Sequence, residues 1–134
     1  KWISRYNVLS NGEEIKKIYK IKKFLNEENS KIMFLSGYQF FSSILEKDLN
    51  SPNRWYGGDV AHPSEFNPYY TDYVQFYNKL ILKKKIEKIY IDYDVGNYHI
   101  KIIDKILKSF PTDCSKTKEI EDLMIVYDIS NCYH

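Results

Sequence analysis

Several features that often reveal a protein's class are scarce in this chain of 134 residues. It has two cysteines, four prolines and five glycines, and its formal net charge is only +2. These counts exclude a disulfide-rich scaffold, a low-complexity segment and the basic stripe that nucleic-acid-binding proteins use. No apolar run reaches the roughly 18 residues needed to span a membrane. We therefore expect a globular protein with no nucleic-acid partner.

The cysteines and the first residue bear on the protein's origin. Cys114 and Cys132 could form a disulfide in an oxidising compartment or remain free thiols in the cytosol. The chain begins at Lys1 and not at a methionine, so we expect a fragment of a longer protein. Its length suits one domain, residues 1–134, with enough buried surface to fold without cross-links.

What the chain does contain is an alternation of helix-like and strand-like patterns. Short apolar runs typical of buried strands occur at 31–37, 88–94 and 123–129, with a weaker one at 54–56. Apolar residues at helical spacing occur at about 10–26, 38–48, 71–85 and 98–110. This order predicts the α/β class: a three-layer αβα sandwich, Rossmann-like, with a mostly parallel sheet of about four to five strands. The last strand follows a polar loop, which favours an antiparallel position at the edge.

The start and extent of the first helix are predictable from its pattern. After a capping-box pattern at Ser10 and Glu13, the apolar residues at roughly helical spacing are Ile15, Ile18, Tyr19, Phe24 and Leu25. This spacing predicts a helix that runs to about Asn26.

The long segment 53–63 (NRWYGGDVAHP) is the first candidate site. Long irregular segments in compact domains are usually functional or disordered, and aromatic anchors argue against disorder. Arg54 could clamp a carboxylate or phosphate, Trp55 could stack on a sugar or ring, and Asp59 with His62 could transfer protons. The alternative is structural, with the aromatic residues closing the core and Arg54 paired with a nearby acid.

The second candidate is the acidic end of the strand at 88–94. Asp92 and Asp94 lie where ligands bind in open α/β sheets, beyond the carboxyl ends of strands. They could bind a divalent cation, but no partner acid can be assigned, and Asp94 could instead cap the following helix. No metal-ligand spacing surrounds His99 or His134, and the glycine pair at 57–58 lacks a phosphate-loop pattern. We therefore predict no metal, no cofactor and no catalytic residue.

A family resemblance follows from the order of these segments. The chain resembles the C-terminal domain of bacterial multi-spanning membrane glycosyltransferases. These belong to the dolichyl-phosphate-mannose protein mannosyltransferase-like group. The resemblance lies in the order of its segments: a helix, KIMFLSG, a helix, SPNRWY, a proline-containing loop, a long helix leading to KIYID, and a closing LMIVYDI. The matching positions, over about residues 13–129, are Pro52, Arg54, Tyr56, Ile89, Tyr90, Ile91, Val126 and Tyr127, whereas Lys88 replaces the family's usual proline.

The resemblance implies a non-catalytic accessory domain on the extracytoplasmic side of the cell membrane. It would serve acceptor binding, stability or assembly, with the membrane-spanning part of the same protein and a glycan or lipid-linked sugar as partners. The family's catalytic acids lie in an early loop between membrane helices, so none corresponds to a residue here. The alternative is a small stand-alone α/β enzyme or nucleotide-binding domain with a site near Arg54 and Asp94.

Overall fold

A computed structural model describes residues 11–38, 40–53, 63–95 and 97–133. Helices and strands follow one another along this part of the chain. They are α1 (Asn11–Glu27), β1 (Ile32–Leu35), α2 (Phe41–Leu45), α3 (Tyr70–Lys84), β2 (Lys88–Asp92), α4 (Asn97–Leu107), β3 (Lys116–Ile120) and β4 (Met124–Asp128), with 3-10 turns at Tyr93–Val95 and Ser130–Tyr133.

The described strands form one mixed sheet in the order β1-β2-β4-β3. β1 and β2 are parallel, whereas β4 is antiparallel to both β2 and β3. The α/β class is therefore confirmed, but a mostly parallel sheet is not, because only one of the three strand pairs is parallel. For β3 and β4 the reason is the short turn between the register partners Ile120 and Met124, because so short a connection can join only antiparallel strands.

β3 is the strand that sequence patterning missed. Its residues KTKEI are exposed except for the last, so they carry none of the apolar signal of a half-buried strand. β4 is antiparallel, as expected, but lies between β2 and β3 and not at the edge. The predicted strand at 54–56 lies outside the described residues.

Apolar side chains cover both faces of the sheet. On one face Met33 and Ile89 pack with α3 and α4, and on the other Phe34 and Tyr90 pack with α1 and α2. Alternate residues of a strand point to opposite faces, so strands buried throughout, such as β1, need helices on both sides.

Only some of the apolar residues of α1 lie on its buried face. Ile15, Tyr19 and Phe24 are 52%, 67% and 39% exposed, whereas Ile21 and Leu25 are fully buried. One helical turn before Ile21 lies Lys17, and two turns before it lies Glu14, so the buried face becomes polar toward the start of the helix. The apolar residues of α1 therefore belong to two faces, of which only one is buried.

Two further features bear on the environment of the protein. Cys114, which precedes β3, forms a disulfide with Cys132 in the 3-10 turn after β4. Among the described helices, none has the length and apolar character required to cross a membrane.

Candidate functional site

The carboxyl ends of β1 and β2 form the candidate site. Leu35 is the register partner of Ile91, so Ser36 and Asp92 lie next to each other where the two parallel strands end. In open α/β sheets ligands bind in the crevice beyond such ends. Since α1, α3 and α4 each have their N-terminus at this end of the sheet, polar residues from all three helices can reach it.

Asp92 is fully buried at the end of β2. One carboxylate oxygen accepts a hydrogen bond from Lys17 Nζ at 2.8 Å, and the other accepts one from Ser36 Oγ at 2.9 Å. A buried carboxylate is tolerated when a charged partner and hydrogen bonds compensate for lost hydration. Asp92 therefore ties α1 to the ends of both parallel strands.

Glu14 is a second buried acid at this edge. It is 3% exposed, and its Oε1 accepts a hydrogen bond from the hydroxyl of Tyr38 at 2.9 Å. The amide of Tyr38 donates to Ser36 Oγ at 3.1 Å, which connects Glu14 to Asp92. We call Glu14, Lys17, Ser36, Tyr38 and Asp92 the strand-end network.

Within the described part of the chain, Oε2 of Glu14 is a buried oxygen with no hydrogen-bond partner. Glu14 lies in the first turn of α1, where the helix dipole favours negative charge. That field stabilises the carboxylate but supplies no donor to Oε2. The strand-end network thus contains one charged acceptor whose hydrogen-bonding capacity is unused.

A small cavity adjoins the strand-end network. Its volume is about 30 Å³, enough for one or two groups of the size of a water molecule. Three aromatic rings, three serines and a leucine line it: Phe34, Tyr38, Phe41, Ser36, Ser42, Ser51 and Leu49. Polar hydroxyl groups and apolar ring surfaces therefore meet at the end of β1.

A second polar network lies on the other helical layer. Asn53 Nδ2 donates to the hydroxyl of Tyr73, which lies 3.5 Å from the hydroxyl of Tyr77. The Tyr77 hydroxyl is 2.9 Å from Nδ1 of the fully buried His99. Burial raises the pKa of Tyr73, so this phenol stays protonated near neutral pH.

The two ends of the segment 53–63, Asn53 and Pro63, lie at the same carboxyl edge of the sheet. Asn53 bonds Tyr73, as described above, and the carbonyl of Pro63 accepts a hydrogen bond from the hydroxyl of Tyr98. Burial, together with nearby tyrosines and Glu65, raises the pKa of Tyr98 to about 12, so it remains a donor. The described residues on both sides of the loop are thus close to the carboxyl edge.

Most of the site residues predicted from the sequence lie outside the part of the chain that the structure describes. Arg54, Trp55, Asp59 and His62 lie outside the described residues. The backbone of Asp94 lies in the 3-10 turn Tyr93–Val95, and its side chain is likewise outside the described part. No set of three His, Cys, Asp or Glu residues suited to holding a metal ion occurs among the side chains that the structure describes.

Sequence reasoning missed four residues of the strand-end network: Glu14, Lys17, Ser36 and Tyr38. A signal for the first two exists in the α1 pattern, because they extend the Ile21–Leu25 stripe toward the N-terminus. A Glu and a Lys on the buried face of a helix require polar partners inside the fold. No comparable signal marks Ser36.

A larger groove of about 480 Å³ at the opposite end of β1 is explained by local structure. Lys47, in its lining, donates to the carbonyls of Leu25, Asn26 and Glu28 at 3.1 Å each, which caps the C-terminus of α1. Asp48, also in the lining, is paired with Lys84 at 3.3 Å. Lys47 therefore stabilises the end of α1, and Asp48 pairs with a residue in the last turn of α3.

Comparison with known proteins does not assign the chain. No family model, no curated protein and no solved structure matches it.

Proposed function

We propose that this chain is a non-catalytic accessory domain of a membrane glycosyltransferase, placed on the extracytoplasmic side of the cell membrane. It serves acceptor binding, stability or assembly. The observation that carries the non-catalytic part is the state of Asp92, whose two oxygens accept hydrogen bonds from Lys17 and Ser36. Because both oxygens already accept hydrogen bonds, this carboxylate holds the strand ends together and is not available to accept a proton from a substrate.

The extracytoplasmic location is supported by the disulfide between Cys114 and Cys132. Structural disulfides persist in oxidising compartments and are rare in the cytosol. The parent enzyme is inferred from the sequence resemblance alone. Its membrane-spanning part and a glycan or lipid-linked sugar are the partners of this proposal.

The finer architecture belongs to the same proposal. We infer a three-layer, Rossmann-like sandwich in which β1 and β2 form the parallel half. Support comes from the two core clusters, since α1 and α2 pack against one face of the sheet and α3 and α4 against the other.

The second candidate function is a small stand-alone α/β enzyme or nucleotide-binding domain with its site near Arg54 and Asp94. One observation favours it: buried polar groups from α1, α3 and α4 gather at the strand ends, where α/β enzymes bind their substrates.

Deletion in the complete protein tests the first proposal. Three proteins are compared: the product of the full gene in membranes, the same product without residues 11–133, and the isolated chain. For each, the transfer of sugar from a lipid-linked donor is measured. We expect the isolated chain to transfer nothing, and the deleted protein to lose acceptor turnover or assembly. Turnover by the isolated chain that one substitution abolishes would instead support the stand-alone enzyme.

The location is tested through the two cysteines. In cells that express the complete protein, a thiol-alkylating reagent should modify Cys114 and Cys132 only after reduction, because both sulfurs are in the disulfide. Free, alkylatable thiols in the native protein would contradict an oxidising compartment.

A further inference from the structure

The two edges of the sheet differ in how they are covered. At the β1 edge the amide of Phe34 donates to the carbonyl of Leu49 at 2.9 Å, and the carbonyl of Ile32 accepts a hydrogen bond from the Asn50 side chain at 2.7 Å. β3 forms the other edge. Among the described residues, only β4 and the turn that joins it to β3 bond to the backbone of β3. An uncovered edge strand is a template for pairing with a further extended chain.

One hydrogen bond fixes which backbone groups of β4 face β3. The amide of Tyr93 donates to the carbonyl of Leu123, so the adjacent register pair, Asp92 and Met124, is a non-hydrogen-bonded pair of β2 and β4. Met124 therefore directs its N–H and C=O groups toward β3, where its register partner is Ile120. Ile120 in turn directs its backbone groups toward β4.

The same alternation shows which groups of β3 face outward. Successive residues of an antiparallel strand direct their N–H and C=O groups to opposite sides. Lys116 and Lys118 therefore bond to β4, as Ile120 does, whereas the N–H and C=O groups of Thr117 and Glu119 point away from the sheet. The open edge presents a donor and an acceptor from each of these two residues.

The side chains of this edge alternate between the two faces of the sheet. Lys116 and Lys118 lie on the same face as Ile120, and Thr117 and Glu119 lie on the opposite face. The residues before Ile120 are all exposed. A strand added at this edge therefore meets two ammonium groups on one face and one carboxylate on the other.

The positive charge of Lys118 is not compensated by the neighbouring strand. Lys118 lies opposite Val126 on β4, whereas Lys116 lies opposite Asp128. Within the part of the chain that the structure describes, Lys118 forms no salt bridge. Opposite charges that face each other across two strands stabilise the pair, and like charges destabilise it. The edge therefore favours a strand with an acidic residue at every second position.

A second copy of β3 is a poor partner for this edge. In a two-fold antiparallel pairing centred on Lys118, that residue lies opposite its own counterpart. A pairing centred on Thr117 places Lys116 opposite the Lys118 of the other copy, and one centred on Glu119 brings two carboxylates together. Each arrangement places like charges opposite each other, which is destabilising. The lysines thus oppose self-association and select an acidic strand.

We propose that the open edge of β3 is a docking site for an extended acidic segment of another protein, which joins the sheet as a strand beside β3. The backbone of that segment bonds to Thr117 and Glu119, and its acidic side chains pair with Lys118 and Lys116. In this mode of recognition the main-chain bonds supply affinity and the alternate side chains supply specificity. The proposal goes beyond the function proposed above and does not depend on it.

The first test follows amide hydrogen exchange by NMR in the isotope-labelled 134-residue chain. The probe is a terminally blocked peptide of about eight residues in which Glu and Thr alternate. On saturation with this peptide, the amides of Thr117 and Glu119 should exchange about tenfold more slowly or less, because they gain acceptors. The amide of Lys118, which already bonds to β4, should change little.

The second test changes the charges. Lys118→Glu should weaken binding of the acidic peptide by about fivefold or more, because an attraction is replaced by a repulsion. Lys101→Glu is the matched control, since Lys101 is exposed on α4 and undergoes the same change; it should bind like wild type. The double variant Lys116→Glu, Lys118→Glu should instead bind a peptide with Lys in place of Glu. Thermal unfolding shows that the variants are folded.

A third peptide separates strand pairing from simple charge attraction. It has the acidic sequence with N-methylated amides, so it keeps every charge but donates no backbone hydrogen bond. It should bind the wild-type chain about tenfold more weakly than the parent peptide.

Four results would overturn the proposal. They are the absence of protection at Thr117 and Glu119, equal affinity of Lys118→Glu and wild type, and equal affinity for the parent and N-methylated peptides. The fourth is protection of these two amides without peptide that rises with protein concentration, which would make the edge an interface between copies of the chain.

Discussion

At the scale of single residues, the acids in the described part differ in how fully their charges are compensated. Glu28 accepts hydrogen bonds from Lys88 at 2.9 Å, from Tyr90, and from the amide of Ser30 at 2.8 Å. Burial alone would raise the pKa of Glu28, but these donors outweigh it and lower the pKa from 4.5 to about 2. Glu14, with one donor for two oxygens, is the contrasting case.

The shift at Glu28 predicts how acid affects stability. Because its folded pKa lies below its unfolded pKa, Glu28 stabilises the fold fully above about pH 4.5, and this contribution is lost as the pH falls toward about 2. Tyr90→Phe should therefore reduce the free energy of unfolding by about 1–2 kcal/mol at pH 7. It should also make the decline below pH 4.5 less steep. Urea denaturation over this pH range measures both effects.

Tyr19→Phe is the control for that experiment, because Tyr19 is 67% exposed. A change at an exposed site should alter the free energy of unfolding by less than about 0.5 kcal/mol. Equal losses in the two variants, or an unchanged acid slope in Tyr90→Phe, would show that the Tyr90–Glu28 bond does not set the pKa of Glu28.

At the scale of secondary-structure elements, several ends of helices and turns place ordinary residues in left-handed conformations. Lys85 ends α3 with a φ of 51°, and its amide bonds the carbonyls of Ile81 and Leu82. The amide of Ile86 also bonds the Ile81 carbonyl at 3.1 Å, which is the Schellman pattern. A residue with a Cβ is strained here, whereas glycine is not.

Lys85→Gly should therefore raise the free energy of unfolding by up to about 1 kcal/mol. The same substitution at Lys79, an exposed residue inside α3, should lower it by about 1 kcal/mol, because glycine is unfavourable in the interior of a helix. Urea denaturation at neutral pH distinguishes the two. Destabilisation by both substitutions would mean that the left-handed conformation of Lys85 carries little strain.

At the scale of the whole molecule, the disulfide joins parts that are distant along the chain. Cys114 follows α4 and Cys132 follows β4, with a sequence separation of 18. Both residues pack with the core cluster on the α3–α4 face of the sheet. The cross-link therefore restricts the unfolded chain and ties together the two ends of the hairpin of β3 and β4.

Replacing both cysteines by serine should reduce the free energy of unfolding by roughly 3 kcal/mol, the loop-closure value for this separation. Thermal unfolding with and without a reductant measures the effect. The reductant should lower the melting temperature of wild type and leave the double-serine variant unchanged. A wild-type melting temperature that is insensitive to full reduction would contradict this role.

Much of the fold could be predicted from local patterns. β1, β2 and β4 were predicted because runs such as Ile32–Leu35 are apolar throughout, and α1, α3 and α4 because their apolar residues recur at helical spacing. β3 could not be predicted, since Lys116–Ile120 is mostly exposed and is a strand only because the turn brings it beside β4. The missed strand adds a second antiparallel pair beside that of β2 and β4, so antiparallel pairs outnumber the parallel one.

The candidate site was less predictable than the fold. The sequence predicted Asp92 as a candidate because it is an acid at the end of a strand. Its partner Lys17, however, is 75 residues away in sequence. Tyr38 and Glu14 are separated by 24 residues. No local pattern links such pairs, so the strand-end network emerges only when the two strand ends meet.

The sequence by itself determined the α/β class, the buried strands and the approximate extent of the helices, because hydrophobic periodicity acts over a few neighbouring residues. Only the tertiary structure decided the presence of β3, the position of β4 between β2 and β3, the pairing of Cys114 with Cys132, and the partners of Glu14 and Asp92. These depend on which distant segments come into contact. A buried polar group is stabilised by the particular donors that the whole fold brings to it, not by its neighbours along the chain.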